Sequence, residues 1–142
     1  MILSPHFTLA EMLESQTARR KAISEQFTPP QEVIDHLKAL CEHILEPLRV
    51  AIGKSIHVNS GYRCAKLNRA VGGAKNSQHV LGQAADLKPT GMTHAQLFHK
   101  IQELNLPFDQ LIWEYGTTEE PAWVHVSYGP RNRKQVLYVG VS

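Results

Sequence analysis

The longest amphipathic pattern in the chain runs from Gln31 to about Ile52. Its apolar residues recur mostly three or four positions apart, as on one buried stripe of a helix; they are Val33, Ile34, Leu37, Leu40, Cys41, Ile44, Leu45, Leu48 and Ile52. Before it, Thr28-Pro29-Pro30 supplies a cap and fixed φ angles compatible with a first helical turn. Pro47 predicts a kink within the helix.

Shorter helices are predicted on both sides of this one. Thr8-Leu-Ala-Glu11 has the form of a capping box, so a short helix should follow Thr8. Residues 64 to 70 predict another short helix, and Thr93 should cap an amphipathic helix that continues to about Leu104. Residues 15 to 27 are largely polar and carry no clear periodicity.

Strand patterns fill most of the rest of the chain. They are short segments that alternate or run apolar between turn residues, at positions 56–62, 84–87, 110–115, 123–128 and 135–139. The last three predict a meander of antiparallel strands. We expect an α+β fold with a mainly antiparallel sheet and helices packed on one face. Residues 1–142 should form one domain, on which residues 1–27 pack as an N-terminal helix and polar segment.

Composition is consistent with one globular domain. The chain has 142 residues, of which 42% are hydrophobic and 20% charged, and no apolar run is long enough to span a bilayer. The net charge is +2 with basic residues scattered in small clusters, and no nucleic-acid-binding module is visible. Nucleic acid is therefore not an expected partner, and a nucleic-acid binder is kept only as a third hypothesis. Cys41 and Cys64 are too few for a disulfide scaffold and predict small buried residues. We expect a monomer.

Three residues offer the ligands of a catalytic metal. His79 lies in a predicted loop, while Asp86 and His125 lie in predicted strands. Two imidazoles and one carboxylate suit Zn²⁺ and leave a fourth coordination position open for water, whereas structural zinc sites are normally closed by four protein ligands. The pattern therefore predicts metal-assisted hydrolysis.

These residues stand within a set of motifs that resembles the zinc D-alanyl-D-alanine carboxypeptidases and peptidoglycan endopeptidases of peptidase family M15, most closely the small single-domain members. The motifs are Ser60-Gly-Tyr-Arg63, Leu67-Asn68, Val71-Gly72-Gly73, Ser77-Gln-His79, Gly82-Gln-Ala-Ala-Asp86, Phe108-Asp-Gln-Leu-Ile-Trp-Glu114 and Trp123-Val-His125-Val-Ser127. The resemblance implies a hedgehog/D-Ala-D-Ala peptidase-like fold. It also implies Zn²⁺ held by His79, Asp86 and His125, with water attacking a peptide carbonyl.

The resemblance also implies roles for residues around the metal. Arg63 would bind the substrate carboxylate or stabilise the oxyanion, and Ser77 would add a substrate hydrogen bond. Several relatives place an acid three residues before the last histidine, where this chain has Ala122. Glu114 is our preferred general base, because a hairpin would bring it almost opposite His125. Glu119 and Glu120, in the turn, are the alternatives.

The predicted function is zinc-dependent hydrolysis of peptide bonds in peptidoglycan stem peptides, by a carboxypeptidase or an endopeptidase. The small bare domain favours a phage or prophage lysis enzyme. No signal peptide is visible at Met1-Ile-Leu-Ser-Pro-His6, so we expect synthesis in the cytoplasm and action on the cell wall after release or delivery. The alternative is a zinc-containing cell-wall-binding module with little or no turnover.

Overall fold

The computed structural model describes residues 1–142. The chain begins with a small hairpin of β1 (Ile2–Ser4) and β2 (Phe7–Thr8), followed by two short helices, α1 (Leu9–Leu13) and α2 (Gln16–Arg20), and a 3₁₀ turn at Ser24–Phe27. The hairpin and the second helix were not predicted from sequence. The predicted capping box is present, since the Thr8 hydroxyl accepts from the Glu11 N–H and the Glu11 carboxylate from the Thr8 N–H.

The main helix spans the predicted residues but is not uniform. It consists of α3 (Gln31–Leu40), a π-helical turn at Cys41–Leu45, and α4 (Glu46–Ile52). The wider turn ends two residues before Pro47, whose ring lacks an N–H and would crowd a regular α-helical turn. The predicted Thr28 cap is wrong: the helix begins after Pro30, and no side chain caps it.

The second half of the chain builds a five-stranded sheet. Its elements are β3 (Ile56–Ser60), α5 (Ala65–Ala70), β4 (Ala84–Pro89), α6 (His94–Glu103), β5 (Gln110–Glu114), β6 (Trp123–Ser127) and β7 (Gln135–Val139), and the strand order is β3-β4-β6-β5-β7. Thr93 caps α6 as predicted, in a capping box with Gln96. The predicted α+β class is confirmed.

The predicted antiparallel meander is wrong for β7. Strands β5 and β6 form the expected antiparallel hairpin, but β7 pairs in parallel with β5. Both edges of β6 are already occupied, by β4 and β5, so the only open position next to this hairpin is the outer edge of β5. The returning chain must therefore cross to that edge.

The sheet has one apolar face and one polar face. Leu87, Val124 and Trp113 belong to the hydrophobic core and pack with residues of the helices, such as Phe98 of α6. Because side chains alternate along a strand, Asp86 and His125 point to the opposite face. The cross-strand pairing of these two residues places them side by side there. None of the helices combines the length and apolar character needed to cross a bilayer.

Candidate metal centre

The structure brings the three expected metal ligands together. His79, Asp86 and His125 each offer one ligand atom, and these atoms all lie within 4.8 Å of one another. Asp86 Oδ1 lies 3.3 Å from His79 Nε2 and 3.0 Å from His125 Nδ1. All three residues are buried, with 2 to 8% of their surface exposed.

These separations fit a zinc ion. Ligand atoms bound about 2.0–2.1 Å from a tetrahedral zinc lie about 3.3 Å apart, which is close to the two separations measured from Asp86 Oδ1. Three protein ligands leave the fourth position for a water or a substrate atom. The donor set and its spacing therefore suit a catalytic zinc better than a structural one.

A backbone carbonyl fixes the orientation of His79. The Nδ1 atom of His79 lies 2.7 Å from the carbonyl oxygen of Gly61. A carbonyl oxygen can only accept a hydrogen bond, so Nδ1 carries the proton and the lone pair of Nε2 faces the cluster. Ligating histidines commonly donate their second N–H in this way, which fixes the tautomer and the ring plane.

The charge of Asp86 is stabilised by the two imidazoles. Burial alone would raise the pKa of this carboxyl, but the neighbouring His125 and His79 imidazoles hold it well below its usual range. Asp86 is therefore an anionic ligand at any pH near neutrality.

Glu114 lies beside the cluster. In the register of the hairpin Glu114 pairs with Trp123, and Ile112 pairs with His125, so Glu114 lies two residue pairs away from the position opposite His125 that the sequence suggested. Its Oε1 atom is nevertheless 3.5 Å from His125 Nδ1. The indole N–H of Trp123 donates to its Oε2 atom at 2.9 Å.

The environment of Glu114 raises the pKa of its carboxyl. Burial is the largest cause, and the neighbouring Asp86 carboxylate adds to it, while His125 and the Trp123 hydrogen bond oppose it. A carboxylate whose pKa moves towards neutrality is better suited to accept and return a proton.

The alternative bases lie away from the cluster. The Glu120 carboxylate accepts hydrogen bonds from the backbone N–H groups of His94 and Ala95 at the start of α6. Glu119 is exposed on the turn between β5 and β6. Of the three glutamates, only Glu114 lines the cavity that His79 and His125 also line.

Arg63 and Ser77 lie together at the rim of the same cavity. Arg63 Nη2 donates to Ser77 Oγ at 3.3 Å, and the His79 N–H donates to the same oxygen at 3.2 Å. Burial lowers the pKa of the Arg63 guanidinium, and the charges of Asp86 and Glu114 oppose that shift. Ser77 thus orients both Arg63 and the loop of residues 71–83 that carries His79, named the ligand loop. Its hydroxyl proton stays available for another acceptor.

Gln26 is a buried residue that sequence reasoning missed. Its Nε2 donates to the carbonyl oxygens of Leu13 and Tyr62, both at 2.8 Å, and its Oε1 accepts from the Cys64 N–H at 2.9 Å. The side chain is 0% exposed. It therefore ties the N-terminal segment to residues 61–64, which supply the carbonyl beneath His79 and the guanidinium of Arg63. Its partners are up to 38 residues away, so no local pattern marks it.

Asp109 is a second such residue. Its buried carboxylate accepts from the backbone N–H, Nε and Nη2 of Arg133, and from the side-chain amide of Gln78 at 2.8 Å. The hydrogen bonds from Arg133 are the main reason that the pKa of Asp109 is lowered. Gln78 precedes His79, so this contact joins the ligand loop to the segment that leads into β7.

The cavity lined by His79 and His125 is named the metal cleft. Its volume is about 690 Å³, and its walls include Arg63, Glu114 and Trp123 together with His79 and His125. It is open to solvent on the polar face of the sheet. The side chains suited to bind a metal, to transfer a proton and to bind an anion therefore line one accessible space.

Comparison with known proteins agrees with this arrangement. A 44-residue stretch is 52% identical to the zinc D-Ala-D-Ala carboxypeptidase of Streptomyces albus G; it covers 30% of this chain and 17% of that protein. The Peptidase M15 family model matches residues 5–127. The family, this relative and the three-residue cluster all imply Zn²⁺ as the cofactor. The chain belongs to the peptidase M15 family.

Proposed function

We propose that this chain is a zinc metallopeptidase that hydrolyses peptide bonds in the stem peptides of peptidoglycan. The observation that carries the proposal is the convergence of two imidazoles and a carboxylate, with Glu114 beside them, in an accessible cleft. The similarity to a D-Ala-D-Ala carboxypeptidase supports the substrate class. The hydrolysed bond yields one new carboxylate and one new amine.

His79, Asp86 and His125 would hold the zinc, which when bound supplies Lewis-acid polarisation and lowers the pKa of a coordinated water. The proposed role of Glu114 is to accept the proton from the attacking water and to deliver it to the departing nitrogen. Its contact with the Trp123 indole keeps one carboxylate oxygen fixed and leaves the other directed towards His125.

The proposed role of Arg63 is to bind negative charge on the substrate. Its planar guanidinium is held by Ser77 at the edge of the metal cleft, which suits a substrate carboxylate or the oxyanion that forms during attack. The free proton of the Ser77 hydroxyl is available to a substrate carbonyl. Both residues would orient the peptide relative to the metal.

Digestion of purified peptidoglycan tests the proposal. The zinc-loaded wild type should release muropeptides with new amino and carboxyl termini, which mass spectrometry identifies. Glu114→Gln should retain zinc but lose roughly 10²- to 10⁴-fold in rate, the usual contribution of a general base. Glu119→Gln, on the exposed turn, is the matched control and should behave as wild type.

His125→Ala should lose both stoichiometric zinc and activity. If the wild type binds peptidoglycan but generates no new amino or carboxyl termini, the peptidase assignment is contradicted and a wall-binding module is favoured. Equal activity of Glu114→Gln and wild type would contradict only the assignment of Glu114 as the general base, and the peptidase assignment would stand.

A further inference from the structure

The motifs Leu67-Asn68 and Val71-Gly72-Gly73 supply no metal ligand and no charged group to the metal cleft. The first lies on α5, and the second begins the ligand loop. Asn68 is a polar residue, yet only 4% of its surface is exposed. Polar side chains are buried to this extent mainly where they make hydrogen bonds. The contacts of Asn68 therefore indicate what these motifs do.

The side-chain amide of Asn68 joins α5 to the ligand loop. Its Nδ2 atom donates to the carbonyl oxygen of Ala74 at 2.9 Å. The same carbonyl oxygen accepts from the Ser77 N–H at 3.0 Å. One backbone acceptor therefore links the Asn68 side chain to the backbone of Ser77.

Ser77 connects this restraint to two residues of the site. Its Oγ atom accepts from Arg63 Nη2 and from the His79 N–H. The Arg63 guanidinium has no other hydrogen-bond partner in the protein, and its Nε atom is buried without one. The His79 ring, by contrast, is also held by the Gly61 carbonyl. Loss of order at Ser77 should therefore displace Arg63 more than His79.

Gly73 lies against the Asn68 side chain. A Cβ atom at this position would lie 2.0 Å from Asn68 Oδ1, far inside the contact distance of two atoms. The φ angle of Gly73 is outside the left-handed region, so its backbone conformation does not itself require glycine. Asn68 Oδ1 accepts no hydrogen bond, so the bond from Nδ2 alone holds the carboxamide. The absence of a side chain at Gly73 therefore leaves the space that Asn68 occupies.

We propose that Asn68 is a positioning residue of the metal cleft. Through the Ala74 carbonyl it orders the backbone of Ser77, and through Ser77 it places the Arg63 guanidinium. Gly73 is the residue of the ligand loop that leaves room for it. The consequence for catalysis rests on the proposed peptidase function, whereas the order of the ligand loop can be measured without a reaction.

Amide hydrogen exchange in the zinc-loaded protein tests the order of the loop. In Asn68→Ala, the Ser77 N–H should exchange about tenfold faster relative to the N–H groups of α6, the effect of losing one hydrogen bond. The N–H groups of α6 serve as the reference because they report the stability of the fold outside the loop. Asn59→Ala, at an exposed position of β3, is the matched control and should exchange as wild type does.

Hydrolysis of soluble peptidoglycan fragments tests the step from Ser77 to Arg63. Asn68→Ala should lower kcat/KM about tenfold but the zinc affinity less than about threefold, because Gly61 still holds the His79 ring. Arg63→Ala removes the guanidinium itself. Addition of Asn68→Ala to that variant should therefore cause no further loss of kcat/KM.

Gly73→Ala tests the contact with Asn68 and keeps the measurement decisive if Asn68→Ala does not fold. The new methyl group should displace the carboxamide and reproduce the faster exchange at Ser77. The double variant Asn68→Ala/Gly73→Ala should show the effect of one change and not the product of two, because the methyl group then has no oxygen to meet. An effect equal to the product would contradict the contact. Circular dichroism shows whether each variant is folded.

The outcomes separate the two proposals. Faster exchange at Ser77, together with a loss of kcat/KM that disappears in the Arg63→Ala background, supports both. Faster exchange at Ser77 with no hydrolysis by the wild type supports the role of Asn68 in the loop and contradicts the peptidase. An active wild type with unchanged Ser77 exchange in Asn68→Ala, or a loss of kcat/KM that is undiminished in the Arg63→Ala background, overturns the role of Asn68 and leaves the peptidase standing.

Discussion

Replacement of Gln26 by leucine should destabilise the protein and loosen the metal centre together. The change keeps a buried side chain of similar size but leaves two carbonyl oxygens and one N–H without partners. An unsatisfied buried polar group costs about 1–3 kcal/mol. For the three groups together we therefore expect the free energy of unfolding to fall by about 3–9 kcal/mol, a large part of the stability of a typical domain.

The same change should weaken zinc binding. The Tyr62 carbonyl and the Cys64 N–H flank Arg63, and Gly61, whose carbonyl fixes His79, is the next residue towards the N-terminus. Loss of a contact that orients a ligand commonly costs 10- to 100-fold in metal affinity. Since Gln26 acts through the segment and not on the ligand itself, we expect about tenfold, the lower end of that range.

Urea unfolding and chelator competition for zinc measure the two effects. Gln102→Leu, at an exposed position of α6, should change neither quantity. Leu48→Ala removes a fully buried core side chain and should lower the free energy of unfolding by about 2–5 kcal/mol without a change in zinc affinity. This variant therefore separates a general loss of stability from a displacement of the metal ligand His79. A Gln26→Leu protein within 1 kcal/mol of wild type, or with unchanged zinc affinity, would refute the reasoning.

Three further predictions concern the surroundings of the site. Trp123→Phe removes the N–H that holds Glu114. We expect kcat to fall roughly tenfold, the effect of losing a hydrogen bond to a charged group, while the zinc content stays unchanged. Steady-state kinetics that match wild type would count against this role of Trp123. The pKa of Asp109 is lowered in the folded state, so its carboxylate adds to the stability of the protein. This contribution is complete above about pH 4, the pKa of an unfolded Asp, and is lost as the pH falls through the pKa of the folded state. As the pH is lowered, the melting temperature should therefore fall more steeply for wild type than for Asp109→Asn. An equal fall for the two proteins would contradict the role of the Asp109 carboxylate in stability. Gly61→Ala would place a methyl group 2.5 Å from a backbone oxygen of α1, so urea unfolding should reveal a loss of about 1–3 kcal/mol, and an unchanged midpoint would contradict that packing.

Local patterns in the sequence predicted most of the elements. The stripe from Val33 to Ile52 and the capping residue Thr93 determine helices through neighbours three or four positions away, and the short alternating segments determine strands in the same local way. The candidate metal ligands could also be predicted from the sequence, because two histidines and an aspartate in strand and loop contexts suit zinc chemistry.

Features that depend on distant contacts could not be predicted in this way. Nothing in residues 135–139 shows that both edges of β6 are occupied, so the parallel placement of β7 follows only from the assembled sheet. Gln26 and Asp109 are polar residues whose importance comes from burial among partners far along the chain. The hairpin register that sets Glu114 against Trp123 likewise needs the folded turn.

The central claim is that His79, Asp86 and His125 bind one zinc ion. Crystals of the zinc-loaded protein, measured by anomalous diffraction at the zinc absorption edge, test it most directly. The account predicts one strong peak about 2.0–2.2 Å from His79 Nε2, His125 Nδ1 and a carboxylate oxygen of Asp86. A peak at other side chains, or no peak in protein that carries stoichiometric zinc in solution, would contradict it.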